Sequence, residues 1–308
     1  LKDAIEQMTR LLELPEGYRL GIVPASDTGA FEMAMWSMLG PRPVDMLVWE
    51  SFGAGWATDA TKQLKLDDCR VLKADYGLLP CLTDCRREAD VCLTQNGTTS
   101  GARIPNFDWI ADDREGLTFV DATSAVFAQP VDWAKVDVLT FSWQKVLGGE
   151  GAGGKLIDGI FTGATINTPS MWAVADLVDA LDWVEEIGGL PAMHARADAN
   201  ATALQAWVDG QDWIENLVAD PALRSNTSVC LKIADPAVSA LDEAGQRGFT
   251  KQMVKLLEEQ GVAFDINGYR DAPPGLRIWC GATVNAIDIK ALGPWLAWAF
   301  AQAKLSLS

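Results

Sequence analysis

Two stretches decide how this chain is read: Val120-Asp-Ala-Thr-Ser124 and Thr140-Phe-Ser-Trp-Gln-Lys145-Val-Leu-Gly-Gly-Glu150. Each follows a β-rich apolar run, 117–121 or 136–141, and each places an ionisable side chain, Asp121 or Lys145, where a strand should end in a polar turn. The two residues lie 24 apart, room for one intervening segment and one strand. In open α/β sheets ligands sit beyond the carboxyl ends of the strands, so chemistry is expected at these ends. A lysine that can form an imine with an aldehyde, beside a carboxylate that can keep a pyridine nitrogen protonated, is what pyridoxal 5′-phosphate chemistry requires. By spacing alone the commoner roles are a helix cap or turn for the aspartate and a solvated position for the lysine.

Outward from these stretches, short β-rich runs alternate with amphipathic ones, the pattern of a mainly parallel sheet flanked by helices. Strands are expected over 19–23, 45–49, 70–73, 90–94, 117–121 and 136–141, with helices over 1–12 and 30–39. A Thr/Asn/Pro loop at 162–169 leads into helices over 170–187 and 191–208. A strand at 228–234, a helix over 248–260, strands at 262–266 and 276–280 and a closing helix over 287–304 suit a smaller α+β domain. The expected division is a large cofactor-binding domain, 1–169, and a linking helix with a small C-terminal domain, 170–308. No internal repeat or low-complexity segment is visible.

With 308 residues, 49% of them apolar, the chain is long enough for two cores. A formal charge of −17 and the lack of any clustered Lys/Arg run argue against nucleic acid as a partner. No apolar run approaches the ~20 residues that cross a bilayer. Residues 1–10 are charged and helical in pattern rather than signal-like, so a soluble cytoplasmic protein is expected. Cys69, Cys81, Cys85, Cys92, Cys230 and Cys280 include one Cys-x3-Cys pair and no second pair to complete a zinc site; buried thiols are expected. His194 is the one histidine, which removes His-dependent triads and multi-His metal sites within one chain, and no metal is expected. The Asn96-Gly-Thr98 sequon is read as chance.

The segment 140–150 resembles the Schiff-base segment of phosphoserine aminotransferases. Other words agree in order: Pro-Ala-Ser-Asp-Thr-Gly (24–29), Trp-Glu-Ser-Phe-Gly-Ala-Gly-Trp (49–56), Asn-Gly-Thr-Thr-Ser-Gly (96–101), Ile-Asn-Thr-Pro-Ser-Met (166–171), Arg-Ser-Asn-Thr-Ser (224–228) and Gly-Leu-Arg-Ile-Trp-Cys-Gly (275–281). The resemblance spans nearly the whole chain and is nearest to the bacterial and archaeal branch of the family. It implies a pyridoxal-phosphate-dependent transferase of fold type I, an α/β fold with a smaller α+β C-terminal domain. It also implies transamination between glutamate and 3-phosphohydroxypyruvate in serine biosynthesis, by a homodimer.

Residue by residue, the resemblance implies that Lys145 carries the Schiff base and shuttles the proton between substrate Cα and cofactor C4′, and that Asp121 pairs with the pyridinium nitrogen. It gives Trp56 the stacking role on the cofactor ring, although an indole buried in the core is the commoner place for one of 13 tryptophans. Thr98 resembles the threonine near the phenolic oxygen. Ser26, Asp27 and Thr28 precede a helix and suit a backbone phosphate cradle, with Gln144 as a side-chain donor. Asn167 and Thr168 resemble the loop that the partner subunit contributes, and also read as an ordinary cap before Pro169. Arg277 matches the carboxylate-binding arginine; Arg270, in a Gly-Tyr-Arg-Asp loop, is a further candidate for a phosphate or carboxylate contact or an exposed arginine without a ligand.

The glycine run 148–154 mimics two other motifs. Gly149, Gly151 and Gly154 satisfy G-x-G-x-x-G without a βα unit at the sequence start, and the near P-loop has Leu156 where a Mg²⁺-binding Ser/Thr is needed. The run also departs from the family, which carries a further strand and helix between Gly-Gly-Glu and the Gly-Lys-Leu-Ile-Asp-Gly stretch (154–159). The sequence begins after the place of the family's substrate-phosphate His-Arg pair. These departures keep two alternatives open: another class V aminotransferase acting on alanine or serine with glyoxylate, and a catalytically silent homologue. A cysteine desulfurase fits less well, because those enzymes place a histidine over the ring.

Overall fold

The computed structural model describes residues 1–23, 26–147, 161–163 and 170–307. Five strands, β1 (Val44–Val48), β2 (Cys69–Lys73), β3 (Asp90–Thr94), β4 (Thr118–Asp121) and β5 (Val138–Thr140), form a sheet in the order β2-β1-β3-β4-β5. Every neighbouring pair is parallel. β1, β3 and β4 are buried along their whole length, which suits central strands covered on both faces. The aspartates that open or interrupt β1 and β3 are neutralised in place. Asp90 takes a 2.6 Å bond from Arg42 and one from the Leu117 amide, while Asp45 is clamped by Arg70 and Arg86.

Helix α1 (Lys2–Leu11) packs against α4 (Met171–Glu186), and α2 (Asp27–Met38) lies against β5. α3 (Ser51–Thr58) follows β1 directly. α5 (Gly189–Val208) links two cores: Met193 and Ala197 join Leu177, Leu181 and Val184 of α4 in the first, and Leu204 and Val208 join the second. That second core lies under an antiparallel sheet of β6 (Ile214–Asn216), β7 (Ser228–Ile233) and β8 (Leu276–Trp279), in the order β6-β7-β8. The short α6 (Pro236–Ser239) leads to α7 (Glu243–Glu259), and α8 (Ala286–Lys304) closes the chain's main architecture. α7 buries Phe249, Met253, Val254 and Leu257, an i, i+4, i+5, i+8 stripe that gives a helix one apolar face.

Several expectations shift. Residues 19–23 form no strand: among the described residues the sheet ends at β5, and Tyr18 beside them donates its hydroxyl to the Val136 carbonyl, 2.6 Å away. Residues 262–266 form none either, because Asp265 takes φ +52° and turns the chain out of an extended run; only Asn267 bridges to Leu276. β6 is too short for its alternation to show in sequence. α7 starts five residues before the expected 248 because Asp242 caps it, accepting from the Gly245 amide at 2.8 Å. All six cysteines are free thiols; Cys92, Cys230 and Cys280 are buried as expected, but Cys81 is exposed and Cys69 and Cys85 are half-buried. Among the described residues no helix is long and apolar enough to cross a membrane.

Burial alone would raise the Asp45 carboxyl, but the bonds from Arg70 and from the Arg86 amide and guanidinium outweigh it and hold the group below the usual carboxylate range. Asp45→Ala should cost about 2–3 kcal/mol in urea unfolding, the lower end for buried pairs because both guanidiniums reach solvent.

Candidate active site

Asp121 is the last residue of β4, and its ladder partner is Thr140, the last residue of β5. The turn after β5 carries Lys145, five residues on, and is tied back by a bond from the Ser142 amide to Thr123 Oγ1. Asp121 therefore ends one strand, and Lys145 lies in the turn that follows the neighbouring strand. The Asp121 carboxylate is buried and accepts from the indole N–H of Trp56 at 3.3 Å and from the Thr123 amide at 3.0 Å.

The end of β3 supplies the hydroxyls. Its turn, 96–101, places Thr98 Oγ1 2.8 Å from Ser124 Oγ, which also accepts a hydrogen bond from the Asn96 side-chain amide. Thr99 donates to Glu50 Oε2 at 2.9 Å, and Glu50 caps α3 by accepting from the Gly53 amide at 2.7 Å. The second sheet is seated on this turn. Ser228 donates to the Thr98 carbonyl, Thr227 to the Ser124 carbonyl, and the Ser225 amide to the Gly101 carbonyl at 2.7 Å. Gly101 sits at φ +72°, and a Cβ there would meet the Cys230 amide nitrogen at 3.0 Å, so only glycine allows the approach.

That seating brings Arg277 to the lysine. Arg277 pairs with Cys230 across β7 and β8, and its guanidinium bonds the exposed Asp265 carboxylate at 3.3 Å. Burial first, and the nearby Arg277 charge second, lower the Lys145 ammonium's pKa against the opposing pull of Asp265. A larger share of neutral amine, the nucleophilic form, results.

At the start of α2, Ser26 and Thr28 are exposed, and the first-turn amides of Asp27 and Thr28 have no acceptor within the helix. The Asp27 side chain turns inward and is buried. Gln144 is exposed. Asn167 and Thr168 lie outside the described residues. Arg270 is exposed, ion-paired with Asp271 and set beside the Tyr269 ring. Trp56 does not offer a ring face to the cleft: it is 5% exposed, packs on Phe31 at 4.9 Å between centroids and spends its N–H on Asp121. The stacking role read for it does not match this placement. The partly exposed aromatic at the start of α3 is Phe52, whose ring meets Tyr269 at 5.7 Å.

Phe52, Glu50 and Ser124 were not singled out from the sequence. All three lie inside the quoted words 49–56 and 120–124, but nothing in a word tells which residue faces a cleft. The whole set fits pyridoxal phosphate: a half-buried lysine of lowered pKa, a buried carboxylate oriented by two N–H donors, hydroxyls at the next strand end and a helix N-terminus open to an anion.

This fold, with a lysine and an aspartate at adjoining strand ends, is that of the pyridoxal-phosphate-dependent aminotransferases of fold type I. A phosphoserine aminotransferase structure from Cytophaga hutchinsonii superposes with a TM-score of 0.79 over 96% of this chain and 87% of that one, at 19% identity. A pyridoxal-phosphate-bound phosphoserine aminotransferase from Trichomonas vaginalis gives 0.76 over 96% and 86%, also at 19% identity. No protein-family model matches the chain. The phosphoserine aminotransferase of Methanosarcina barkeri is 49% identical over 97% of this chain and 87% of its own length, so the chain belongs to the phosphoserine aminotransferase family. That alignment runs over 331 positions against a chain of 308 residues, so the relative has positions with no counterpart here.

Glu50 gives the site a pH signature. Its carboxyl is 3% exposed, and burial, opposed by the Gly53 and Thr99 bonds, pushes it from 4.5 up to about 7. A raised folded-state value means stability that is full below 4.5 and is lost as pH rises through about 7. Thermal unfolding of wild type and Glu50→Gln across that window should show the wild type losing ground to the variant as pH rises; parallel curves would refute the assignment.

Proposed function

We propose that Lys145, Asp121, Thr98 and the first turn of α2 hold pyridoxal phosphate, and that Arg277 holds the substrate α-carboxylate. The chain is a phosphoserine aminotransferase, a pyridoxal-phosphate-dependent transaminase that moves an amino group between glutamate and 3-phosphohydroxypyruvate in serine biosynthesis. The observation that carries the site reading is the paired register of Asp121 and Thr140, which sets the lysine turn beside the aspartate.

The cofactor supplies an aldehyde that condenses with amines and a protonated ring that accepts electrons from the substrate Cα. Lys145 Nζ, its pKa lowered by burial and by Arg277, would serve as the covalent anchor and, once displaced by the incoming amine, would take the proton from substrate Cα and pass it to the cofactor's former aldehyde carbon. Asp121, oriented by two N–H donors, would accept the ring nitrogen's N–H and so favour its protonated form. The amides opening α2 receive the phosphate, with Ser26, Thr28 and Gln144 exposed beside the chain segments that would cradle it. Phe52 is the ring we place against the cofactor face. Arg277 trades Asp265 for the substrate carboxylate, a bidentate match that a lysine cannot reproduce. Arg270, on the loop next to Phe52, is the second cation offered to the substrate.

Reducing the protein with borohydride in the presence of pyridoxal phosphate and mapping the peptides should find the label on Lys145; a label elsewhere, or none, overturns the anchor. Arg277→Ala should raise KM for phosphoserine by about ten-fold or more, with Arg277→Lys recovering only part.

The working unit we propose is a homodimer in which Asn167 and Thr168 reach the partner's cofactor phosphate. Supporting it, Met171 and Trp172 open α4 at 74% and 82% exposure, large apolar groups that a lone chain leaves in water. Trp172→Glu should shift light-scattering mass toward the monomer and weaken cofactor retention together; a monomeric wild type would dismiss the proposal.

A further inference from the structure

The Asp27 carboxyl has no role in a backbone phosphate cradle, yet it is 6% exposed and neither oxygen meets a hydrogen-bond donor of good geometry. Its surroundings are the Asp121 carboxylate from β4, the Thr123 hydroxyl from the following turn and the Thr140 hydroxyl at the end of β5. The largest influences on it include no lysine or arginine. Asp121 differs: the Trp56 indole and the Thr123 amide donate to it. Two buried carboxyls side by side cannot both ionise cheaply, and the one with N–H donors keeps the charge. The proton belongs on the other.

We propose that Asp27 is a neutral carboxylic acid that donates a hydrogen bond to the Asp121 carboxylate and so acts as a positioning residue for the cofactor's ring nitrogen. The positioning role rests on the reading of Asp121 as the ring-nitrogen partner. A carboxylate has about four lone-pair sites. Trp56, Thr123 and Asp27 fill three from the protein, leaving one for a ring N–H.

Neutrality also settles a conflict at the start of α2. An ionised aspartate in the first turn of an exposed helix is favourable. Here the side chain is buried, and an ionised one would face a bound phosphate at the same helix end. Burial first and Asp121 second push the Asp27 carboxyl well above the usual carboxylate range, the direction that the packing demands.

Two measurements on the full chain test this. Infrared spectra of the cofactor-free protein at neutral pH, with ¹³C-aspartate labelling, should show a protonated-carboxyl stretch that disappears in Asp27→Asn; its absence from the wild type overturns the proposal whether or not Asp121 binds a cofactor. Titration with pyridoxal phosphate then separates donor from charge. Asp27→Asn keeps a neutral N–H donor and should bind as the wild type does, whereas Asp27→Ala should bind about ten-fold more weakly. An Asn variant as weak as the Ala variant would overturn the positioning role. If wild type and both variants alike fail to bind, the cofactor reading falls, and the infrared result alone decides the carboxyl pair.

Discussion

The structure depends on a parallel ladder that ends in step. Thr94 pairs with Asp121 and Asp121 with Thr140, so three neighbouring strands stop at one level and deliver their turns to one place. Parallel strands leave their last side chains on a common edge, and a fold that covers both faces with helices leaves that edge as the opening. β7 then comes down on it through Ser225, Thr227 and Ser228, all buried, each bonding a backbone group of the β3 or β4 turn or a neighbour that does so. The second sheet is thereby fixed at the chemistry's edge, and Arg277, carried on β8, faces Lys145 across it.

What the sequence made legible follows from this geometry. Strand 90–94 stands out because two buried faces demand apolar side chains, here Val91 to Leu93, and its boundaries match the structure residue for residue. The end of β4, with Asp121, was equally plain. The run 19–23 is just as apolar at alternate positions, but a strand needs a partner edge, and no pattern inside five residues says whether one is offered. Asp265 shows the opposite failure: a β-like composition interrupted by one residue in the left-handed region, which sequence marks clearly only when it is glycine.

The site divides along the same line. Lys145, Asp121, Arg277 and Thr98 could be named as candidates because strand ends and family words locate them. Trp56 was assigned a face when it supplies an edge: its N–H steadies Asp121, and its ring fills the core with Phe31. Glu50 and the side chain of Asp27 were invisible because a carboxylate in a sequence carries no sign of burial. Their importance comes from being placed where water cannot reach them.

Burial of that kind answers an electrostatic difficulty. A chain of net charge −17, with Asp27, Glu50 and Asp121 gathered near one opening, has to receive a cofactor phosphate and substrates that bring carboxylate and phosphate groups. Three full negative charges there would oppose every one of them, since Coulomb terms grow as the local dielectric falls. The packing removes much of that cost by favouring the neutral forms of Asp27 and Glu50. Glu50 is pushed up to about 7 and Asp27 well above the usual carboxylate range, in each case first of all by burial. On the proposed reading, what remains is one carboxylate for the cationic part of the cofactor, opposite an arginine and a lysine whose mutual repulsion an anionic substrate would relieve.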